Sequence, residues 1–444
     1  MFGKNQTFLL GDVMNLRIKK DINPFRTIVA GFSIYVIIGL ILISMPFAQK
    51  TAVSLVDNLF NVVSAMSTTG LVTDSISKLY TPFGKLVILT LIQLGAIGYM
   101  TLTSFLILSG SNKISSTRIK VFSAEFAMPE GFELKQFMKH IMAYTFLVEF
   151  VGILLLWREF ALLDIDKPLW SSVFHTISAF CTAGFSIYGD GLVRFQDDVS
   201  INLIICTLCW LGSIGFIVPV DIYRKLTGKT EEITFTSKII LIATVILATL
   251  GTLIYIFCAD SNFIQAFFQI TAASTTAGYN TVDIGLLPDS VLITLIFLMI
   301  IGASPSGTGG GIKTTSVSAV IAIITSVMRG HPDKITFLKR IIPANRVMTA
   351  AAAACAYIIM LFFFTFLLCL VENKEFIALF FETASAIGTV GLSTGITPDL
   401  TNIGKIIITV AMFFGRMGML TLGLAFFKIK DDSNIVRKRT DLVV

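Results

Sequence analysis

The chain has 444 residues, of which 55% are hydrophobic and 14% charged, with a formal charge of +6 and a mean hydropathy of +0.83. A soluble domain, about half apolar and about a quarter charged, has no interior able to hold that much apolar side chain. A soluble globular protein is therefore excluded in favour of a polytopic membrane protein, in which the positive charge reports topology before it reports a nucleic-acid partner.

Residues 1–26 are mixed and polar. They lack the apolar core and small-residue cleavage site of a signal peptide, so the first apolar run is expected to remain as a span. Apolar runs of spanning length then follow in pairs. The first members are expected at 27–47, 138–157, 239–258 and 348–371, and their partners at 84–109, 201–220, 291–328 and 404–427. Between the members of each pair lies an amphipathic stretch too short to span: 55–71, 168–185, 262–279 and 375–392. The pattern predicts eight transmembrane helices and four short re-entrant helices, an all-α membrane protein of four pseudo-fourfold helix–loop–helix repeats. The boundaries are 27–109, 136–220, 239–328 and 346–428, flanked by terminal segments 1–26 and 429–444.

The repetition is visible in the residues themselves. The turns after the short helices read Ser67-Thr68-Thr69-Gly70-Leu71, Cys181-Thr182-Ala183-Gly184-Phe185, Thr275-Thr276-Ala277-Gly278-Tyr279 and Gly388-Thr389-Val390-Gly391-Leu392. Some 24 to 28 residues downstream a glycine pair three apart recurs at Gly95/Gly98, Gly212/Gly215 and Gly415/Gly418, and the third repeat has Gly302 in that register. Most of the 34 lysines and arginines fall in the links between repeats and in the termini, which places both termini and the links on the cytoplasmic side and admits the four turns from outside.

Non-helical backbone at membrane depth must be buried or line a water-filled cavity. A ring of four turns meets that requirement at once. Carbonyls around Thr68, Thr69 and Gly70, Thr182, Ala183 and Gly184, Thr276, Ala277 and Gly278, and Thr389, Val390 and Gly391 are expected to replace the hydration shell of an ion. The C-terminal dipole ends of the short helices favour a cation, and the absence of acidic residues from the turns favours a monovalent one.

The third repeat breaks its second helix. Gly302-Ala303-Ser304-Pro305-Ser306-Gly307-Thr308-Gly309-Gly310-Gly311-Ile312-Lys313 cannot hold a helix, and it falls near mid-span, across the expected ion path. The candidate gate comprises Gly302, Ser304, Ser306, Gly307, Gly309, Gly310, Gly311 and Lys313, together with Arg416 in the last span. A phosphate-binding loop fails on Ile312, where that motif requires glycine, and on the missing strand. Lys313 and Arg416 are cations inside the membrane, functional candidates by default. Among the acids, Asp57 is expected to cap the first short helix, Asp283 to sit at the outer mouth and Glu382 to brace its own loop through neighbouring backbone. Glu149 needs a partner that the sequence does not name. His175 reads as a packed, hydrogen-bonded residue, and Cys206 and Cys209 as buried small hydrophobes.

With four single-glycine turns, a Gly-rich break in repeat three and Gly415-Arg416-Met417-Gly418 in repeat four, the chain resembles the Trk/Ktr/HKT superfamily of potassium transporters over about residues 27–428. Its length is most similar to that of the membrane subunit of a bacterial Ktr system. The resemblance implies potassium uptake through the plasma membrane, often sodium-dependent, with potassium held at the filter carbonyls and no covalent cofactor or enzymatic activity. It also implies a homodimer seated on a cytoplasmic octameric ring of nucleotide-binding RCK subunits, with Gly302–Lys313 as the gate loop. The turns share one glycine where a potassium-channel filter has two, which implies looser discrimination against sodium. Two alternatives stay open. One is a proton- or sodium-coupled symporter of the Trk type using Glu149, Lys313 and Arg416; the other is a membrane-embedded metalloprotein using His175 and the cysteine pair.

Overall fold

The computed structural model describes residues 24–98, 134–331 and 334–426; the expected terminal segments, the link after the first repeat and the distal part of span 84–109 lie wholly or mostly outside them. Four times the chain runs long helix, short helix, extended turn and a further helix, which in the last three units is interrupted. The long helices are α1 (Pro24–Ile43), α4 (Leu134–Leu162), α8 (Phe235–Ala259) and α12 (Ala344–Val371). The short ones are α2 (Leu55–Met66), α5 (Pro168–Phe180), α9 (Phe263–Ser274) and α13 (Phe376–Gly388). Third in each unit come α3 (Pro82–Ile97), α6 (Val199–Ser213) with α7 (Ile217–Leu226), α10 (Asp289–Ile300) with α11 (Thr314–Met328), and α14 (Asn402–Met417) with α15 (Met419–Phe426).

Local chemistry sets the starts. Thr81, Asp198 and Thr401 cap α3, α6 and α14 by accepting the backbone N–H three residues on, and Asn262 does the same for α9, satisfying donors that the first turn leaves unpaired. Ser54, not Asp57, caps α2. Asp57 is the third helical residue; its N–H donates to Ser54 Oγ at 3.1 Å and its carboxylate accepts from that hydroxyl at 2.6 Å. Because the Ser54 hydroxyl supplies the accepting oxygen and Asp57 only binds that hydroxyl in return, the expected role moves three residues upstream.

The long helices turn apolar side chains outward, as at Phe257, which is 90% exposed; all four are long and apolar enough to cross a bilayer. The short helices are wrapped by the others, and α2, α5, α9 and α13 bury most of their length. Each packs on the third segment of the preceding unit: α5 on α3, α9 on α6, α13 on α10, and α2 on α14. The chain thereby closes on itself. At the closing seam Lys405 Nζ of α14 meets Asp57 Oδ1 of α2 at 2.8 Å.

The third repeat's partner span breaks where expected, but the other partner spans are not the continuous helices the apolar runs predict. Helix α3 ends at Gly98, α6 and α7 meet at 87° across Gly215, α14 and α15 meet at Gly418, and α10 and α11 are separated by 301–313. Hydropathy does not register these breaks, whereas the second glycine of each pair does: Gly98, Gly215 and Gly418 all adopt positive φ, at 82°, 82° and 74°. The first glycine serves close packing. A Cβ at Gly95, Gly212 or Gly415 would collide with the carbonyl oxygen of Met66, Phe180 or Ile387, at or just before the C-terminus of the short helix of the same unit.

Candidate functional site

Each short helix ends in the same hydrogen-bonded turn. The N–H groups of Thr68, Thr182, Thr276 and Thr389 bond back to the carbonyls of Ala65, Ala179, Ala273 and Ala386 at 3.0–3.1 Å. The next N–H groups, of Thr69, Ala183, Ala277 and Val390, reach Ser64, Ser178, Ala272 and Ser385 at 2.8–2.9 Å. This is the Schellman pattern, whose left-handed position usually holds glycine. Here it holds threonine four times, with φ of 55°, 50°, 56° and 48°. A left-handed β-branched residue costs about 1–2 kcal/mol, so the side chain is retained against its backbone preference.

The following glycines, Gly70, Gly184, Gly278 and Gly391, have φ of 100°, 64°, 71° and 100°. They meet in a ring. A Cβ on Gly70 would strike the carbonyl oxygen of Ala183; on Gly184, that of Ala277; on Gly278, that of Val390; and on Gly391, that of Thr69. The cycle passes through all four turns and returns to the first, so each glycine is fixed by its neighbour's carbonyl as well as by its own φ. Serine hydroxyls brace two of the turns: Ser64 and Ser385 Oγ accept the N–H of Gly70 and Gly391 at 3.1 and 2.9 Å. With four helix C-termini converging and no carboxylate in the turns, backbone oxygen dominates the ring electrostatically.

Residues 302–313 lie against this ring. One flank is stitched to the break between α6 and α7: Ser304 N–H to Ser213 O at 3.1 Å, Thr308 N–H to Gly212 O at 3.3 Å, and Phe216 N–H to Ser306 O at 3.2 Å. The loop then touches all four left-handed threonines. Thr68 Oγ1 donates to Thr308 O at 3.2 Å, Thr182 Oγ1 shares a 3.0 Å bond with Thr308 Oγ1, and Gly310 N–H donates to Thr276 Oγ1 at 3.2 Å. Gly310 also abuts Thr389, whose hydroxyl a Cβ there would strike. Arg416 locks the arrangement by donating to Thr308 O, to Gly95 O and, at 3.1 Å, to Thr68 Oγ1. Lys313 folds back on its own loop, Nζ to Gly309 O at 2.7 Å. Both cations, with the loop glycines, border a cavity of about 310 Å³.

The four turns expected from the sequence lie in one ring, and the expected loop touches it through Thr308, Gly309 and Gly310, while Ser304 and Ser306 bond to the break between α6 and α7. Two participants were missed. Thr308 is wholly buried and makes more contacts to the ring than its neighbours; a lone threonine between Gly307 and Gly309 was the available signal. Gln93, a single amide in an apolar run, is the partner Glu149 needs: Gln93 Nε2 donates to Glu149 Oε1 at 2.7 Å, and its Oε1 accepts from Cys181 Sγ at 3.4 Å. Glu382 accepts from the Thr397 hydroxyl instead of from backbone, and Asp283 accepts the N–H of Gly285 at 3.0 Å, capping a short 3-10 turn. His175 is buried, Nδ1 paired with Ser171 O at 2.8 Å and Nε2 with Ser186 Oγ at 3.1 Å. Cys206 and Cys209 are buried free thiols.

Long apolar helices around a buried ring of backbone carbonyls and threonine hydroxyls define a multi-pass helical membrane protein of the transporter class. The TrkH family model, described as a cation transport protein, matches residues 52–259 and 233–438. The chain is 32% identical over 424 residues to the Ktr system potassium uptake protein B of Bacillus subtilis (strain 168), covering 93% of this chain and 94% of that one. It is 30% identical to the potassium/sodium uptake protein NtpJ of Enterococcus hirae, covering 92% and 94%. The crystal structure of the potassium transporter TrkH from Vibrio parahaemolyticus superposes with a TM-score of 0.68 at 21% identity, covering 90% and 85%. The chain belongs to the TrkH family of cation transport proteins, as its motifs led one to expect.

Proposed function

We propose that the chain is the ion-conducting subunit of a Ktr-like potassium uptake system, with the four turns as its selectivity ring and residues 302–313 as its gate. The observation that carries this reading is the closed cycle of Gly70, Gly184, Gly278 and Gly391 with one strained threonine in each turn. Four equivalent carbonyl-lined turns suit a dehydrated monovalent cation, and the cyclic packing of the short helices supports a reading with pseudo-fourfold symmetry about one axis and eight spans. The relatives named as potassium uptake proteins support potassium as the ion. Sodium dependence, homodimerisation and control by a cytoplasmic octameric RCK ring are carried over from the resemblance, as are cytoplasmic termini in the plasma membrane.

The chemistry assigned to the site is simple. The ring would substitute for water around the cation. Thr308 and Gly310 hydrogen-bond the hydroxyls of Thr68, Thr182 and Thr276, and Arg416 adds positive charge where a cation would pass, so the loop must leave before conduction. A coupled symporter has one observation in its favour, the buried Glu149 bonded through Gln93 toward turn two.

Rubidium uptake by potassium-transport-deficient cells tests the reading. Expression of the chain should restore uptake, and Gly391→Ser, which forces a side chain against Thr69 O, should admit sodium. Unchanged selectivity in a variant that reaches the membrane would remove the ring assignment. Uphill accumulation at a fixed ion stoichiometry would favour the symporter.

A further inference from the structure

A cleft of about 1020 Å³, lined by no residue of the ring, lies between the start of α3 and the start of α5. Its charge is unbalanced. Lys50 Nζ donates to Ser77 O at 2.8 Å and Lys85 Nζ to Ser77 Oγ at 2.9 Å, so two ammonium groups crowd one serine. Lys167 lines the same cleft as the left-handed residue before Pro168, and contributes no side-chain cap to α5. Arg194 is already matched, by Asp190 at 2.9 Å and by the Tyr188 ring at 4.4 Å. Asp164 and Asp166 also line the cleft, yet among the described residues no carboxylate lies within ion-pair distance of Lys50, Lys85 or Lys167. Three neighbouring cations repel one another unless an anion joins them.

Depth and surroundings indicate what the anion is attached to. Lys85 lies in the first turn of α3, and Lys167 directly precedes α5, so the charges stand where the helices enter the apolar zone. Trp170 also lines the cleft, an aromatic residue of the kind enriched at membrane interfaces. Phe83 and Leu86, on the same wall, are 39% and 49% exposed, which continues the polar cleft into an apolar surface. A free phosphate would use only the lysines; a phospholipid would use both parts.

We infer that this cleft binds the headgroup of an anionic phospholipid, its phosphate between Lys50, Lys85 and Lys167 and its acyl chains along Phe83 and Leu86. Each lysine facing an anionic headgroup strengthens the preference for it over a zwitterionic one. The inference stands independently of the ring's role in conduction.

The test is native mass spectrometry of the purified full chain in neutral detergent with equimolar phosphatidylglycerol and phosphatidylcholine. Wild type should retain phosphatidylglycerol by about tenfold or more over phosphatidylcholine. Lys85→Gln with Lys167→Gln should reduce that preference to within about twofold, whereas Lys374→Gln, a charge change outside the cleft, should not. Thermal unfolding without added lipid checks that the double variant is folded; if it is not, Lys50→Gln alone serves, with the same expected loss. Equal retention of the two lipids by wild type, or a preference that survives in the folded variants, overturns the inference. Thermal stabilisation by inorganic phosphate matching that by phosphatidylglycerol would overturn it in favour of a free-anion site.

Discussion

Four threonines in the left-handed region are the most informative residues of the ring. Glycine would suit each backbone better, so their hydroxyls have a use that offsets the strain. Thr276→Gly should therefore leave the unfolding midpoint unchanged or slightly higher, while lowering rubidium flux or selectivity. A variant that conducts and discriminates normally would show that the hydroxyl has no part in conduction. Thr308 is the reciprocal case. Its hydroxyl bonds Thr182 Oγ1 at 3.0 Å and Phe180 O at 3.2 Å, and two net hydrogen bonds are worth about 1–3 kcal/mol. Thr308→Val should shift the loop toward its open form and raise resting flux by roughly 5- to 150-fold, measured in liposomes without a partner ring. Glu149 is poised differently: as the acceptor of Gln93 it supports turn two from behind. Glu149→Gln removes a charge while keeping a hydrogen-bonding amide. On the channel reading it alters flux modestly and leaves the steady-state gradient passive; on the symporter reading it abolishes uphill accumulation.

At the scale of elements, the short helices and their turns were legible because three signals coincide. Each is an amphipathic stretch too short to span, each ends in a threonine followed by glycine, and each recurs in register. The breaks in the partner helices were legible only in repeat three, where glycine and proline accumulate. Elsewhere a single positive-φ glycine in an apolar run bends the chain, and composition averages it away. The glycine pair was recognised as a register mark, but its division of labour depends on contacts far apart in sequence: Gly212 against Phe180 O, and Gly215 against Pro305 O. Gly212→Val should accordingly push α6 off the end of α5 and cost about 3 kcal/mol or more, by overpacking against unyielding backbone. Thermal unfolding in detergent measures this; a midpoint within a degree or two of wild type would show that the close approach is dispensable.

For the whole molecule, the cyclic order of packing makes the first and last units neighbours, and a linear sequence gives no direct sign of which side chains close that seam. Asp57 was legible as a helix-start residue, not as the partner of Lys405, 348 positions away. Arg416 was legible as a costly intramembrane cation; its bonds to Thr68, Gly95 and Thr308 explain how it is tolerated, by backbone carbonyls and a hydroxyl brought from two other units. Residues 302–313 hydrogen-bond to Thr68, Thr182 and Thr276 and abut Thr389, so displacing the loop from one turn would disturb its contacts with the others. The most direct measurement is rubidium flux into proteoliposomes holding the chain alone, wild type against a variant lacking Gly309–Gly311. The deletion is expected to raise flux about tenfold or more, with potassium still preferred over sodium, because loop contacts to Thr276 and Thr389 are lost while the glycine ring is intact. Flux that stays at the wild-type level in a correctly inserted deletion variant would contradict the assignment of the loop as gate.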